Sequence, residues 1–137
     1  MTYRSELPVD PGERGVPPAQ RAGLLRVAVS QPRPGVVAVS PVGEVDVATV
    51  SVLRDATREA VAAGPQCLVV DLSGLTFCGS TGLGVLLDAC RAAEAAGAHF
   101  GTVAGPPIVR RILDITGLGP VLGHRETFED VLGDLPG

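Results

Sequence analysis

The sequence predicts an α/β domain: a mixed β-sheet entered through an N-terminal hairpin and continued by parallel βαβ units, with about four helices packed on it. Three observations lead there. Two runs rich in β-branched residues, 24–30 (LLRVAVS) and 36–42 (VVAVSPV), flank the turn-forming stretch Gln31-Pro32-Arg33-Pro34-Gly35. Downstream, strand-like runs alternate with segments whose apolar residues recur at helical spacing, the order expected of right-handed crossovers. The run at 67–71 (CLVVD) lacks polar alternation, as does a central strand covered on both faces.

Residues 1–22 carry Pro8, Pro11, Pro17 and Pro18 without any apolar period, which predicts a flexible leader before a single domain over 23–137. Pro41, inside the second run, predicts that this strand reaches an edge or bends near its end. The loop Gly43-Glu44-Val45-Asp46 leads into a helix over 48–63, with Val50, Leu53, Thr57, Ala60 and Val61 on one face and Arg54, Asp55, Arg58 and Glu59 on the other. Asp46 is placed to cap this helix, and Gly64-Pro65 stops it. After the strand at 67–71 and a short bridge, Gly79-Ser80-Thr81-Gly82-Leu83-Gly84 opens a second helix on which Leu83, Leu86, Leu87, Cys90 and Ala93 recur at helical spacing. That helix reaches about Ala96 and ends at Gly97. A strand at 98–103 follows, then a helix at 107–116 opened by Pro106-Pro107 and ended by Gly117. A last short strand is expected at 121–124 and a last helix at 127–132, with Thr127 as its cap.

The chain has 137 residues, enough for one domain with a sizeable core. Its formal charge is −4 and its 11 basic residues, all arginine, are scattered apart from Arg110-Arg111. With three Phe, one Tyr and no Trp, neither the clustered basic surface nor the stacking faces of a nucleic-acid binder are present. No basic segment precedes an apolar core at the N-terminus and no apolar run is long enough to span a bilayer, so a cytoplasmic protein without membrane contact is expected. Cys67, Cys78 and Cys90 fall within apolar patterns without a CxxC pair and read as buried reduced thiols. No spacing brings His99 or His124 to them, so neither a metal nor another cofactor is expected.

The turn at 79–84 sits at the C-terminal end of the central strand, where open α/β sheets carry their sites. Its hydroxyls meet the unpaired N–H groups and the positive end of the second helix. Gly74-x-x-x-x-Gly79 imitates a phosphate-binding loop, but Ser80 stands where that loop has lysine. A serine-hydrolase elbow has glycine two residues before and after its serine; here Gly82 is present and Cys78 occupies the other place. Neither hydrolytic chemistry is expected. An anion nest for a nucleotide is the remaining small-molecule reading.

The segments Asp71-Leu72-Ser73, Leu75-Thr76-Phe77-Cys78 and Ser80-Thr81-Gly82-Leu83-Gly84-Val85-Leu86-Leu87 together resemble the signature of STAS domains, in particular bacterial anti-sigma factor antagonists. Gly43-Glu44-Val45-Asp46 resembles the family's second motif at the family's distance, and the likeness runs from about Leu24 to Leu135. The resemblance implies a protein that is not an enzyme. Such a domain binds an anti-sigma factor that is itself a serine kinase and holds ATP and magnesium, and thereby frees a sigma factor. Phosphorylation of a serine at the helix start abolishes the binding. Ser80 matches that position, with Thr81 as a minor acceptor whose main expected role is a hydrogen bond in the first turn. Partner contacts are expected from Glu44, Asp46, Gly79, Ser80, Thr81 and Gly82, while Gly82 and Gly84 are expected mainly to permit close packing. Family members commonly carry an acid where this chain has Gly79, which leaves two alternatives: Ser80 as the helix N-cap, or a constitutive interaction module without a switch.

Overall fold

A computed structural model describes residues 2–4 and 24–135. Within the expected leader, Thr2–Arg4 forms a strand, β1, paired antiparallel with β2 (Leu25–Arg33); the remainder of that segment lies outside the described residues. A two-residue turn, Pro34-Gly35, joins β2 to β3 (Val36–Val45), with Gly35 at φ +79°. Pro presets the first turn position and Gly supplies the positive φ of the second, so the hairpin is encoded locally.

From β3 onward every pairing is parallel. The strands β4 (Cys67–Asp71), β5 (Leu75–Cys78), β6 (His99–Val103) and β7 (His124–Arg125) complete a sheet of order β1-β2-β3-β4-β6-β7, with β5 beside β3. The bridge expected after residue 71 is in fact β5. It continues the lane of β4: Val36–Val39 of β3 pair with β4, and Gly43–Val45 pair with β5. Asp71 makes the step between the two, its Oδ1 accepting the Ser73 N–H at 2.9 Å.

This lane change explains Pro41. Of the two expected alternatives, the edge position does not hold, because β3 lies inside the sheet; its register does shift near its end, between Gly43 and Glu44, and Pro41 falls in the gap between its two parallel partners. Gly43, two residues on and so facing the same way, donates its N–H to Gly74 O at 3.0 Å. The imide nitrogen of Pro41 therefore faces the one stretch of β3 where that neighbour makes no ladder bond, and proline costs no hydrogen bond there.

The helices α1 (Val50–Ala62) and α2 (Ser80–Ala95) cover one face of the sheet, burying Leu53, Ala56, Leu83, Leu86 and Ala89 against Leu68, Val70 and Val39. Also present are α3 (Pro107–Thr116), the single helical turn α4 (Leu118–Val121) and α5 (Phe128–Gly133). α5 packs Val131, with Phe128 and Leu132, against Val36, Cys67, Val69 and Val103 on the opposite face. β4 thus sends Leu68 and Val70 to one core and Cys67 and Val69 to the other, as its unbroken apolar run requires. Five helices stand in place of about four, and of the residues expected to be strand at 121–124, Val121 ends α4, Leu122 and Gly123 form a turn, and only His124 belongs to β7. Pro107 opens α3, Gly117 ends it at φ +73°, and Thr127 Oγ1 caps α5 by accepting Asp130 N–H at 3.1 Å.

His124 of β7 is half-buried, its Nδ1 2.9 Å from Thr102 Oγ1, and its Nε2 is buried without a hydrogen-bond partner among the described residues. If the Thr102 hydroxyl donates to Leu122 O, as their 3.4 Å separation allows, Oγ1 accepts from Nδ1–H and Nε2 carries only a lone pair, which avoids an orphan donor. Burial first, then the Arg110 charge, pushes the His124 pKa below the usual histidine value. The unfolded chain therefore takes up a proton near pH 6.5 that the folded one refuses. Stability is expected to be level above that pH and to fall as pH drops through it, by at most about 1.4 kcal/mol per unit. Urea melts between pH 7.5 and 5.5 measure this slope, and His124→Gln should flatten it.

Candidate functional site

Turn 79–82 is fixed to the sheet by the contacts of two glycines, Gly79 and Gly82. Gly79 is the N-cap residue of α2, extended at φ −82°, ψ −178°, and its N–H donates to Val45 O at 2.9 Å. That bond fixes the helix start to the end of β3. Gly82 is buried, and a Cβ there would lie 2.6 Å from Val45 Cγ1 and 2.7 Å from Cys78 Sγ. Only a glycine lets the first turn of α2 approach the sheet this closely, so Gly82 acts through packing. Gly84 does not share this role, because it is exposed with nothing within 4 Å of a Cβ, which corrects the packing expected of it.

Ser80 is the first residue of α2 and is exposed. It does not cap the helix: the N-cap position belongs to Gly79, which makes no side-chain cap bond. Among the described residues no side-chain hydrogen bond engages the Ser80 hydroxyl, which stands in solvent beside the free N–H groups of the first turn. Thr81 is also exposed and lacks the bond expected within that turn. Behind the turn Cys78 is buried, and burial pushes its thiol pKa up to about 11. Burial also raises Cys67 and Cys90, so all three remain protonated, unreactive packing residues at neutral pH.

Glu44 and Asp46 do not share a loop. Glu44 belongs to β3, is exposed, and is the register partner of Phe77 on β5. Asp46 does not take the N-cap position of α1, which belongs to Thr49, but caps the turn that leads into it: its Oδ1 accepts Ala48 N–H at 2.9 Å and Thr49 N–H at 3.2 Å, and its own N–H donates to Thr49 Oγ1 at 3.0 Å. The buried Thr49 hydroxyl also donates to Glu44 O at 2.7 Å, which ties the strand end to the helix start. Asp46→Ala is expected to lower stability by about 1–2 kcal/mol in chemical denaturation, whereas Asp46→Asn, which keeps an accepting oxygen, should lose much less.

The sequence reading missed Phe77 as a site residue. Its side chain is 40% exposed and lies where a Cβ on Gly79 would meet the ring at 3.3 Å. A side chain at position 79 would require this ring to give by a few tenths of an ångström. Phe77 stood in view within Leu75-Thr76-Phe77-Cys78, but its outward direction depends on β5, which the sequence did not reveal. Taken together, the carboxyl end of the sheet presents Glu44, Phe77, Gly79, Ser80 and Thr81, with Asp46 and Gly82 holding them from behind.

The family model that matches this chain is the STAS domain, over residues 28–132. The chain belongs to the STAS domain family. One relative of this STAS domain, the anti-sigma-F factor antagonist RsfB of Mycobacterium tuberculosis, is 36% identical over 105 residues, 75% of this chain and 84% of the relative. Among solved structures, an anti-sigma factor antagonist from Mycobacterium paratuberculosis superposes with a TM-score of 0.73 at 33% identity, covering 81% of this chain and 93% of that one. The Bacillus cell fate determinant SpoIIAA in its phosphorylated form shares the fold, with a TM-score of 0.62 at 22% identity over 80% of this chain and 99% of that one. Among the described residues no helix is long and apolar enough to cross a membrane.

Proposed function

We propose that this STAS domain is an anti-sigma factor antagonist that binds an anti-sigma factor serine kinase in the cytoplasm, frees a sigma factor, and is switched off by phosphorylation of Ser80. The observation that carries this reading is an exposed serine hydroxyl, uncommitted to capping, at the first position of α2. The antagonist names of its relatives supply the partner class. On this reading the protein acts by binding and catalyses nothing, and the kinase brings its own ATP and magnesium. Phe77 supplies an apolar anchor, Glu44 a charge for an arginine on the partner, and Gly79 and Thr81 line the contact. Asp46 and Gly82 act by holding the turn in place. Thr81 is the secondary acceptor.

The two faces of the switch follow from one modification. A phosphoserine carries about 1.5 to 2 negative charges at neutral pH, which the helix N-terminus tolerates within the domain. At a closed interface the same charge must be desolvated beside a surface shaped for a hydroxyl. Incubation with the cognate kinase and ATP is expected to add one phosphate to the wild-type chain and none to Ser80→Ala, read by intact-mass spectrometry. Equal phosphate on both proteins would exclude Ser80 as the sole acceptor.

A further inference from the structure

We propose that the groove between α1 and α2 is a binding site for a small amphiphilic monocarboxylate, independent of the turn at Ser80. The groove has a volume of about 210 Å³, with the buried Thr57, Val85 and Ala89 in its lining and the exposed Arg58, Asp88 and Ala92 among its solvent-facing residues. Its apolar lining comes from Val61 of α1 and from Val85, Ala89 and Ala92 of α2. The two alanines lie on the helix face that borders α1, and their short side chains leave open the space that larger residues would fill.

The charges around this lining are unbalanced. Arg54 and Arg58 stand one turn apart on α1 and both line the groove, opposite the single acid Asp88 on α2. Among the described residues neither arginine forms an ion pair, Asp88 included. Thr57, also in the lining, directs its hydroxyl to Arg54 O at 3.0 Å and so offers no donor to a ligand. Two guanidinium groups and one carboxylate leave one net positive charge, which a monoanion neutralises. A dianion would leave an excess negative charge next to Asp88. A guanidinium fork matches a carboxylate in a bidentate pair, and the apolar lining suits a chain of a few carbons attached to it. The volume is too small for a helix of another protein and is of the size that a short acid fills.

Hexanoate, hexylamine and hexanol titrated into the full-length protein, followed by amide chemical shifts, test the proposal. Hexanoate is expected to shift amides of residues 54–61 and 85–92 saturably, with a dissociation constant on the order of 1 mM, the range open to so few heavy atoms. The doubly substituted Arg54→Ala, Arg58→Ala protein should bind at least about tenfold more weakly. Ala92→Leu, at an exposed position, should fill the groove and abolish binding without changing the thermal midpoint. Absence of saturation by about 10 mM hexanoate would overturn the proposal. So would hexanol or hexylamine binding as tightly as hexanoate, or wild-type affinity in Ala92→Leu. None of these outcomes bears on Ser80.

Discussion

Ser80→Asp is expected to weaken binding of the anti-sigma factor partner by more than about a hundredfold, a loss of roughly 3 kcal/mol, while leaving the isolated domain as stable as before. The two halves of this result have separate causes. Within the domain the new carboxylate occupies the first helical position, where the unpaired N–H groups and the positive end of α2 favour a negative charge by about 0.3–1 kcal/mol. Nothing buried has to move, because Ser80 is exposed. At the interface the carboxylate must shed its water against a surface that fits a hydroxyl. Calorimetric titration of the partner and a thermal melt of the free domain read the two quantities independently. An affinity within a few-fold of wild type would favour a module that docks constitutively, the reading suggested by Gly79 in place of an acid. Phe77→Ala separates contact from switching, since it should weaken docking of the unmodified protein while leaving Ser80 open to the kinase.

The second large effect is expected at Gly43→Ala, which should destabilise the domain by at least about 3 kcal/mol and lower Tm by about 10 °C or more. Gly43 sits at φ +124°, where a side chain is strained in any surroundings, and an added Cβ would lie 1.8 Å from Leu24 O. The obstruction is backbone, so no rotamer change relieves it. Its N–H also bonds to Gly74 O, and a displaced strand would give up that link as well. Gly84→Ala is the matched comparison: a helical glycine with open space around it, expected to gain about 0.5–1 kcal/mol. Differential scanning calorimetry of both variants should give shifts of opposite sign. A Gly43→Ala protein as stable as wild type would contradict the close approach of Leu24 O, just ahead of β2, to the Gly43 backbone.

The same positions show how far the residues alone could be read. β4 was legible because Leu68-Val69-Val70 faces two cores and has no reason to alternate. The helix starts and stops were legible where one residue type does the work, as with Thr127, Pro107 and Gly117. β5 was not, because four residues with an exposed middle pair carry no period that separates a strand from a loop. The far end of β3 was hidden for a different reason. Pro41 and Gly43 are both strand breakers, and they are accommodated only through a gap between lanes and a positive φ, neither of which is a local property. At the turn, four small residues in a row left open whether Ser80 itself caps the helix, and in the structure Gly79 takes the N-cap position, its N–H bonded to the distant Val45 O.

Placing β4 and β5 end to end along β3 divides mechanical labour within one strand. The half that grips β4 lies between two covered faces, whereas the half that grips β5 holds a four-residue ribbon whose middle pair, Thr76 and Phe77, faces water. A pull exerted on the turn by a bound protein is absorbed first by the short ribbon, so the docking end can yield and recover while the interior keeps its register.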